Sequence, residues 1–191
     1  TAGRLGDDLL RGQNTTGQRQ ASIPAYTAGG DLKIGQQRRQ CTKEYKTQVV
    51  ERAIRRNVLG LVPRQRIPRG TIVHRYFGIS SDEARRAGSI AKRLAGKGVC
   101  HFPLLDRQWT RATCLLWLET HCPHEVPRSS CVFCPFKSDR EWLRLKMHDP
   151  VGWARAVAID DGLRAPGSAA RHGMRQLLYL HRSGRPLAGV V

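Results

Sequence analysis

The 191-residue chain reads as an α/β protein. Helical signals outnumber strand signals, and the few strand-like runs alternate with helices, which fits a layered α/β arrangement and not an all-helical bundle. With 40% apolar residues over this length there is enough material for one domain with a core. Two parts are expected: a loop-rich segment over residues 1–40, and a region over 41–191 that carries the cysteines.

In the first part, Asp7 to Leu10 predicts a short helical turn and Ala28-Gly29-Gly30-Asp31 a turn. Thr42 then caps a helix in which Tyr45, Val49, Val50, Ala53, Ile54 and Val58 recur at helical spacing until Gly60 stops it. Its other face carries Lys43, Lys46, Arg52, Arg55 and Arg56. Leu61 to Gly70, with two prolines and three arginines, is a connector, and Thr71 to Ile79 predicts a strand.

Ser80 with Asp82 and Glu83 opens a short helix, and Gly88 to Gly98 is expected to be a second connector. Val99 to Leu105 reads as a short strand or extended segment. Thr110 caps a helix whose buried face is expected at Ala112, Leu115, Leu116 and Leu118. Ser138 and Glu141 form a capping box for a helix carrying Trp142, Leu143 and Leu145. Asp149-Pro150 starts another helix, because proline suits the first helical position, with Trp153, Ala154, Val157 and Ala158 facing inward. Leu177 to His181 closes the chain as a strand followed by a Ser183-Gly184 turn.

The formal charge of +18 calls for anionic partners, nucleic acid or nucleotide phosphates among them. Of the 33 basic residues 26 are arginine, a bias that a GC-rich coding sequence also produces. No run approaches the roughly 18 to 20 apolar residues of a membrane span, and the start lacks the layout of a signal peptide, so a cytoplasmic protein with no membrane partner is expected. In that compartment six cysteines are reduced thiols or metal ligands, not disulfides.

Cys131 and Cys134 form a C-x-x-C corner followed by Pro135, immediately ahead of the Ser138 helix. Two thiolates at that spacing can face one ion, and proline after the second cysteine recurs in iron–sulfur ligation. Cys41 precedes a helix and Cys114 lies in the first turns of one, where unpaired N–H groups stabilise thiolates. Cys41, Cys114, Cys131 and Cys134 would make a complete set for a [4Fe–4S] cluster, with Arg38, Arg39 and Lys46 nearby to screen charge or hold an anion. A competing set for zinc is Cys114, Cys122, Cys131 and Cys134, with His121 and His124 as substitutes. Asp82, Glu83 and Arg86 form a charged helix start, for which capping is the simple reading. Cys100 reads as a small core residue, and His74, His101, His148, His172 and His181 as packed or surface histidines.

Several runs in order then carry a resemblance: Arg38-Arg39-Gln40-Cys41-Thr42-Lys43-Glu44-Tyr45-Lys46, Gly78 to Arg86, Phe102 to Asp106, Thr110-Arg111-Ala112-Thr113-Cys114, Arg128 to Phe136, and Tyr179-Leu180-His181-Arg182. From about Asp31 onward the chain resembles the phosphoadenosine phosphosulfate reductase-like proteins of the PP-loop ATP pyrophosphatase (adenine nucleotide α-hydrolase) superfamily. The resemblance implies the C-terminal part of a Rossmann-like fold, helix-rich with a few strands. It also implies an adenine nucleotide partner, ATP or adenylyl sulfate, handled beside a [4Fe–4S] cluster on Cys41, Cys114, Cys131 and Cys134. Arg38, Arg39, Lys46, Asp82, Glu83, Arg86 and Arg111 would then bind substrate or anion, in sulfur transfer or DNA modification. The family's S-G-G-x-D-S phosphate loop is absent from this sequence, so nucleotide turnover is expected of a longer protein of which this chain is the C-terminal portion. The reductases' catalytic C-terminal cysteine has no counterpart, since nothing after Cys134 is a cysteine. The alternative is a non-catalytic zinc module that binds nucleic acid.

Overall fold

A computed structural model describes residues 5–29, 33–124, 126, 129–171 and 174–191. The expected turn at Ala28 to Asp31 lies partly outside these, as do Arg128 and His172. The protein is mixed α/β, helix-rich with short strands in two small sheets. It divides into two compact units, Thr1–Val62 with Ser130–Val191, and Pro63–Ser129.

In the first unit, α1 (Leu5–Leu10) precedes β1 (Tyr26–Ala28) and β2 (Gly35–Gln36). A helical stretch follows, with π-type turns at Lys43–Thr47 and Ile54–Val58 on either side of α2 (Gln48–Ala53). After the second unit the chain returns with α6 (Asp139–His148), α7 (Pro150–Arg164) and β5 (Leu177–Tyr179). The sheet order is β2-β1-β5, all antiparallel, with Thr27 opposite Leu178. Residues 1–40, expected to be loop-rich, contribute much of this core. Ala21, Ile23, Ala25 and Thr27 are buried at a spacing of two, as one face of an extended segment must be.

Leu9, Ile23, Phe133, Trp142, Ile159, Leu163, Leu178, Leu180 and Leu187 meet in one apolar cluster. Each such side chain contributes roughly 1.5–3 kcal/mol by leaving water. Asp160 sits at its centre with no exposure, accepting hydrogen bonds from the backbone N–H groups of Leu180 (2.7 Å) and Leu187 (2.8 Å) and pairing with Arg164. One carboxylate thereby ties α7 to the chain on both sides of the Ser183-Gly184 turn.

The helix ends follow the local code. Ser138 and Glu141 complete the capping box of α6, and Asp149 accepts from the Gly152 N–H at the start of α7, with Pro150 first in the helix. Gly60, at φ 63°, ends the second π-type turn in the left-handed conformation that glycine adopts without strain. Two expectations need correction here. Thr42 is itself helical and makes no side-chain cap; its buried hydroxyl has no partner among the described residues. The inward face of α7 is Gly152, Ala156, Ile159, Asp160 and Leu163, while Ala154 and Ala158 are exposed. Alanine carries too little apolar area to decide which side of a helix is buried.

The second unit holds β3 (His74–Tyr76), a 3-10 turn at Ser81–Glu83, α3 (Ala84–Leu94), β4 (Val99–His101), α4 (Pro103–Asp106) and α5 (Arg111–His121). β3 and β4 pair in parallel, Arg75 opposite Cys100. The expected connector from Gly88 is helix as far as Leu94, because Ala87, Ile90 and Leu94 line one face and bury against Ile79, Phe77, Cys100 and Phe102. That burial outweighs the roughly 1 kcal/mol cost of Gly88 in the helix interior. Thr110 caps α5 as expected, its hydroxyl accepting from the Thr113 N–H at 3.1 Å. The expected buried face of α5 is not buried: Leu115 and Leu116 are exposed, and no residue of the helix is fully covered.

Candidate functional site

The C-x-x-C corner is a rigid knuckle. The Cys134 N–H donates to the Cys131 carbonyl (3.1 Å) and the Lys137 N–H to the Cys134 carbonyl (3.1 Å), giving two successive tight turns. Phe133 is buried in the core and Pro135 is fully covered, so the two residues between and after the cysteines anchor the turn from below. Α6 begins directly after, and Lys137 bonds Ser130 (3.2 Å) and lies over the Trp142 ring.

Cys41 comes to this knuckle from 90 residues earlier in the chain. It packs against the same core, close enough to Cys131 for their charges to interact. The Cys131 thiol is pushed well above the ordinary cysteine range, first by its hydrogen bond with Cys134. Packing around the sulfur and the negative charge that Cys134 and Cys41 would carry add to this, although the residue as a whole is exposed. Arg39 lies over the Phe136 ring, 5.5 Å from its centre, which sets its guanidinium beside the corner. Arg38 is tied by its carbonyl, which accepts from Ser22, and Lys46 is exposed on the following helical turn.

Polar groups that the sequence did not single out hold the Cys41 segment. Glu44 is buried, paired with Arg19 and accepting from Asn14. Tyr45 donates to Asp8 (2.7 Å), and burial followed by that carboxylate pushes its phenol pKa up. Tyr45 is expected on the apolar face of its helix, whereas a glutamate beside lysines carries no local sign that it points inward. His181, read as a packed or surface residue, is packed: its Nδ1 accepts from Ser183 and its Nε2 faces Asp139 at 3.0 Å.

All six cysteines are free. Cys114 and Cys122 belong to the second unit, in the first turns and at the C-terminal cap of α5. Eight residues of helix separate them by about 12 Å along the axis, so the two cannot share one ion as the compact zinc set requires. Asp82, Glu83, Arg86 and Arg111 gather at the start of α3 and α5: Asp82 accepts from the Arg111 backbone N–H, and Glu83 pairs with Arg86 at 2.9 Å. Asp82 thus serves the start of α5, while Glu83 makes no cap bond and pairs along α3.

In the first unit Cys131 and Cys134 are thus hydrogen-bonded and Cys41 lies within reach of their charge, and the chemistry of these soft thiols suits iron or zinc. Among the described residues no group of three or more His, Cys, Asp or Glu side chains is already arranged to hold an ion. No helix among the described residues is long and apolar enough to cross a membrane. No family model, curated protein or solved structure matches this chain.

Proposed function

We propose that the chain is a sulfonucleotide-reductase-like part of a Rossmann-like PP-loop protein of the reducing cytoplasm, in which Cys41, Cys131 and Cys134 are thiolate ligands of a [4Fe–4S] cluster beside an adenine nucleotide or adenylyl sulfate. The observation that supports it is the approach of Cys41, from 90 residues earlier in the chain, to within charge interaction of Cys131, on the same core as the Cys131/Cys134 turn. Arg39 at the edge of the corner is suited to the phosphates or sulfate of the ligand. When bound, the cluster would supply electron transfer or charge stabilisation; the chain's own part is to hold it on a preformed turn and place cations next to it. Nucleotide turnover would belong to a protein that also supplies a phosphate loop.

The test is anaerobic reconstitution with iron and sulfide, followed by iron and acid-labile sulfide analysis and visible absorption. Cys41→Ala, Cys131→Ala and Cys134→Ala should each abolish or strongly reduce loading, while Cys122→Ala should leave it unchanged. Cys114→Ala decides whether the remaining cysteine of the expected set is the fourth ligand. Colourless protein that retains one equivalent of zinc would move the assignment to a structural zinc module. Loading that survives Cys41→Ala would remove the three-thiolate centre.

A further inference from the structure

The parallel pair β3/β4 of the second unit is covered on one face only. Cys100 packs toward α3, with Ala87, Ile90 and Leu94. The opposite face presents His74, Tyr76, Val99 and His101, of which Tyr76 is 70% exposed and Val99 42%. Parallel strands are ordinarily buried on both faces. The register sets these side chains together, since Tyr76 lies opposite His101 and His74 opposite Val99. His74 Nδ1 and His101 Nε2 are 2.9 Å apart with ring planes 17° from parallel, so the two imidazoles lie nearly coplanar, edge to edge. The Tyr76 ring stacks on His101 with centres 4.5 Å apart. Gly98, at φ 120°, makes the tight entry possible: a Cβ there would meet the Val73 carbonyl oxygen at 2.2 Å.

The Tyr76 ring, stacked on His101 and largely exposed, leaves a face open to another flat ring. Its surroundings are cationic: Arg64, Arg66 and Arg69 lead into β3 and Lys97 leads into β4, all exposed. Residues 63–129 carry twelve lysines and arginines against five carboxylates. We infer that the outer face of β3/β4 binds single-stranded nucleic acid, its bases stacking on Tyr76 and the His74–His101 pair and its phosphates following the adjoining arginines. A single strand is favoured over a duplex because only unpaired bases offer their faces. It is favoured over a free nucleotide because an open sheet covers one side of a base, whereas a small ligand needs a pocket around it. This inference does not depend on the thiolate centre.

The experiment is fluorescence anisotropy of the full chain with a labelled 15-nucleotide oligothymidylate, the same length of duplex DNA and labelled AMP, each over a salt series. The expected result is tighter binding of the single strand than of the duplex. Tyr76→Ala should weaken it about tenfold, as loss of one stacked base does, with the salt slope unchanged, and Tyr76→Phe should restore it. Arg64→Ala with Arg66→Ala should lower the salt slope instead. Tyr76 is exposed and His101 half-buried, and circular dichroism checks that their variants remain folded. Equal binding of duplex and single strand, wild-type affinity in both Tyr76→Ala and His101→Ala, or AMP displacing the oligonucleotide and itself losing affinity in Tyr76→Ala would each overturn the inference.

Discussion

The two units use apolar residues in opposite ways. The first draws segments from both ends of the sequence around Trp142, Leu163 and Leu178, all without exposure, and satisfies its central carboxylate with two backbone donors and an arginine. The second has a small core of Ile79, Ala87, Ile90 and Leu94 and leaves Leu115, Leu116, Trp117, Tyr76 and Val99 exposed. Large side chains inside stabilise a fold; large side chains on a surface raise the free energy of the isolated chain unless something covers them. The contrast therefore separates a unit with a closed core, which carries the Cys131/Cys134 corner, from one that leaves large apolar side chains at its surface.

The sharpest way to break that contrast is to truncate one tryptophan in each unit. Trp142→Ala should cost about 3–5 kcal/mol, because it empties a closed core, whereas Trp117→Ala on exposed α5 should cost within about 0.5 kcal/mol. Urea unfolding measures both, and similar losses would show that α5 is covered after all. Next in size is Asp160→Ala, which leaves two buried N–H groups without an acceptor and Arg164 with Asp161 as its remaining carboxylate partner, and should cost about 3 kcal/mol in the same assay. A loss below about 1 kcal/mol would mean that apolar packing alone orders the first unit.

The smallest effect is a pH dependence at the surface of the first unit. The hydrogen bond from His181, then that from Arg182, lowers the Asp139 pKa. A carboxylate whose folded pKa lies below its unfolded value of about 3.9 contributes stability above that pH and loses it as pH falls through the folded value. The stability difference between wild type and Asp139→Asn should thus be full at neutral pH and shrink below about pH 4. A difference that stays constant to low pH would remove the charge contribution of the His181–Asp139–Arg182 group.

Much of the local architecture was legible in the residues. Ser138 with Glu141, Thr110 and Asp149-Pro150 cap the helices they precede, since those hydrogen bonds close within three residues. Between Gly88 and Gly98 three glycines and three cations mask the apolar face of Ile90 and Leu94, and only packing against Ile79 reveals that face. The burial of Ala21, Ile23 and Ala25 was hidden in the same way by their polar neighbours.

By itself the sequence determined the α/β character, the cationic surface, the helix starts and the C-x-x-C turn, all set by bonds and charges among near neighbours. Only the tertiary structure decided that Cys41 packs on the same core as that turn, that Cys114 and Cys122 stand at opposite ends of one helix, and that three rings share an open sheet face. Those outcomes depend on which apolar surfaces meet across tens of residues. That choice is made by the sum of many weak contacts, and no single motif records it.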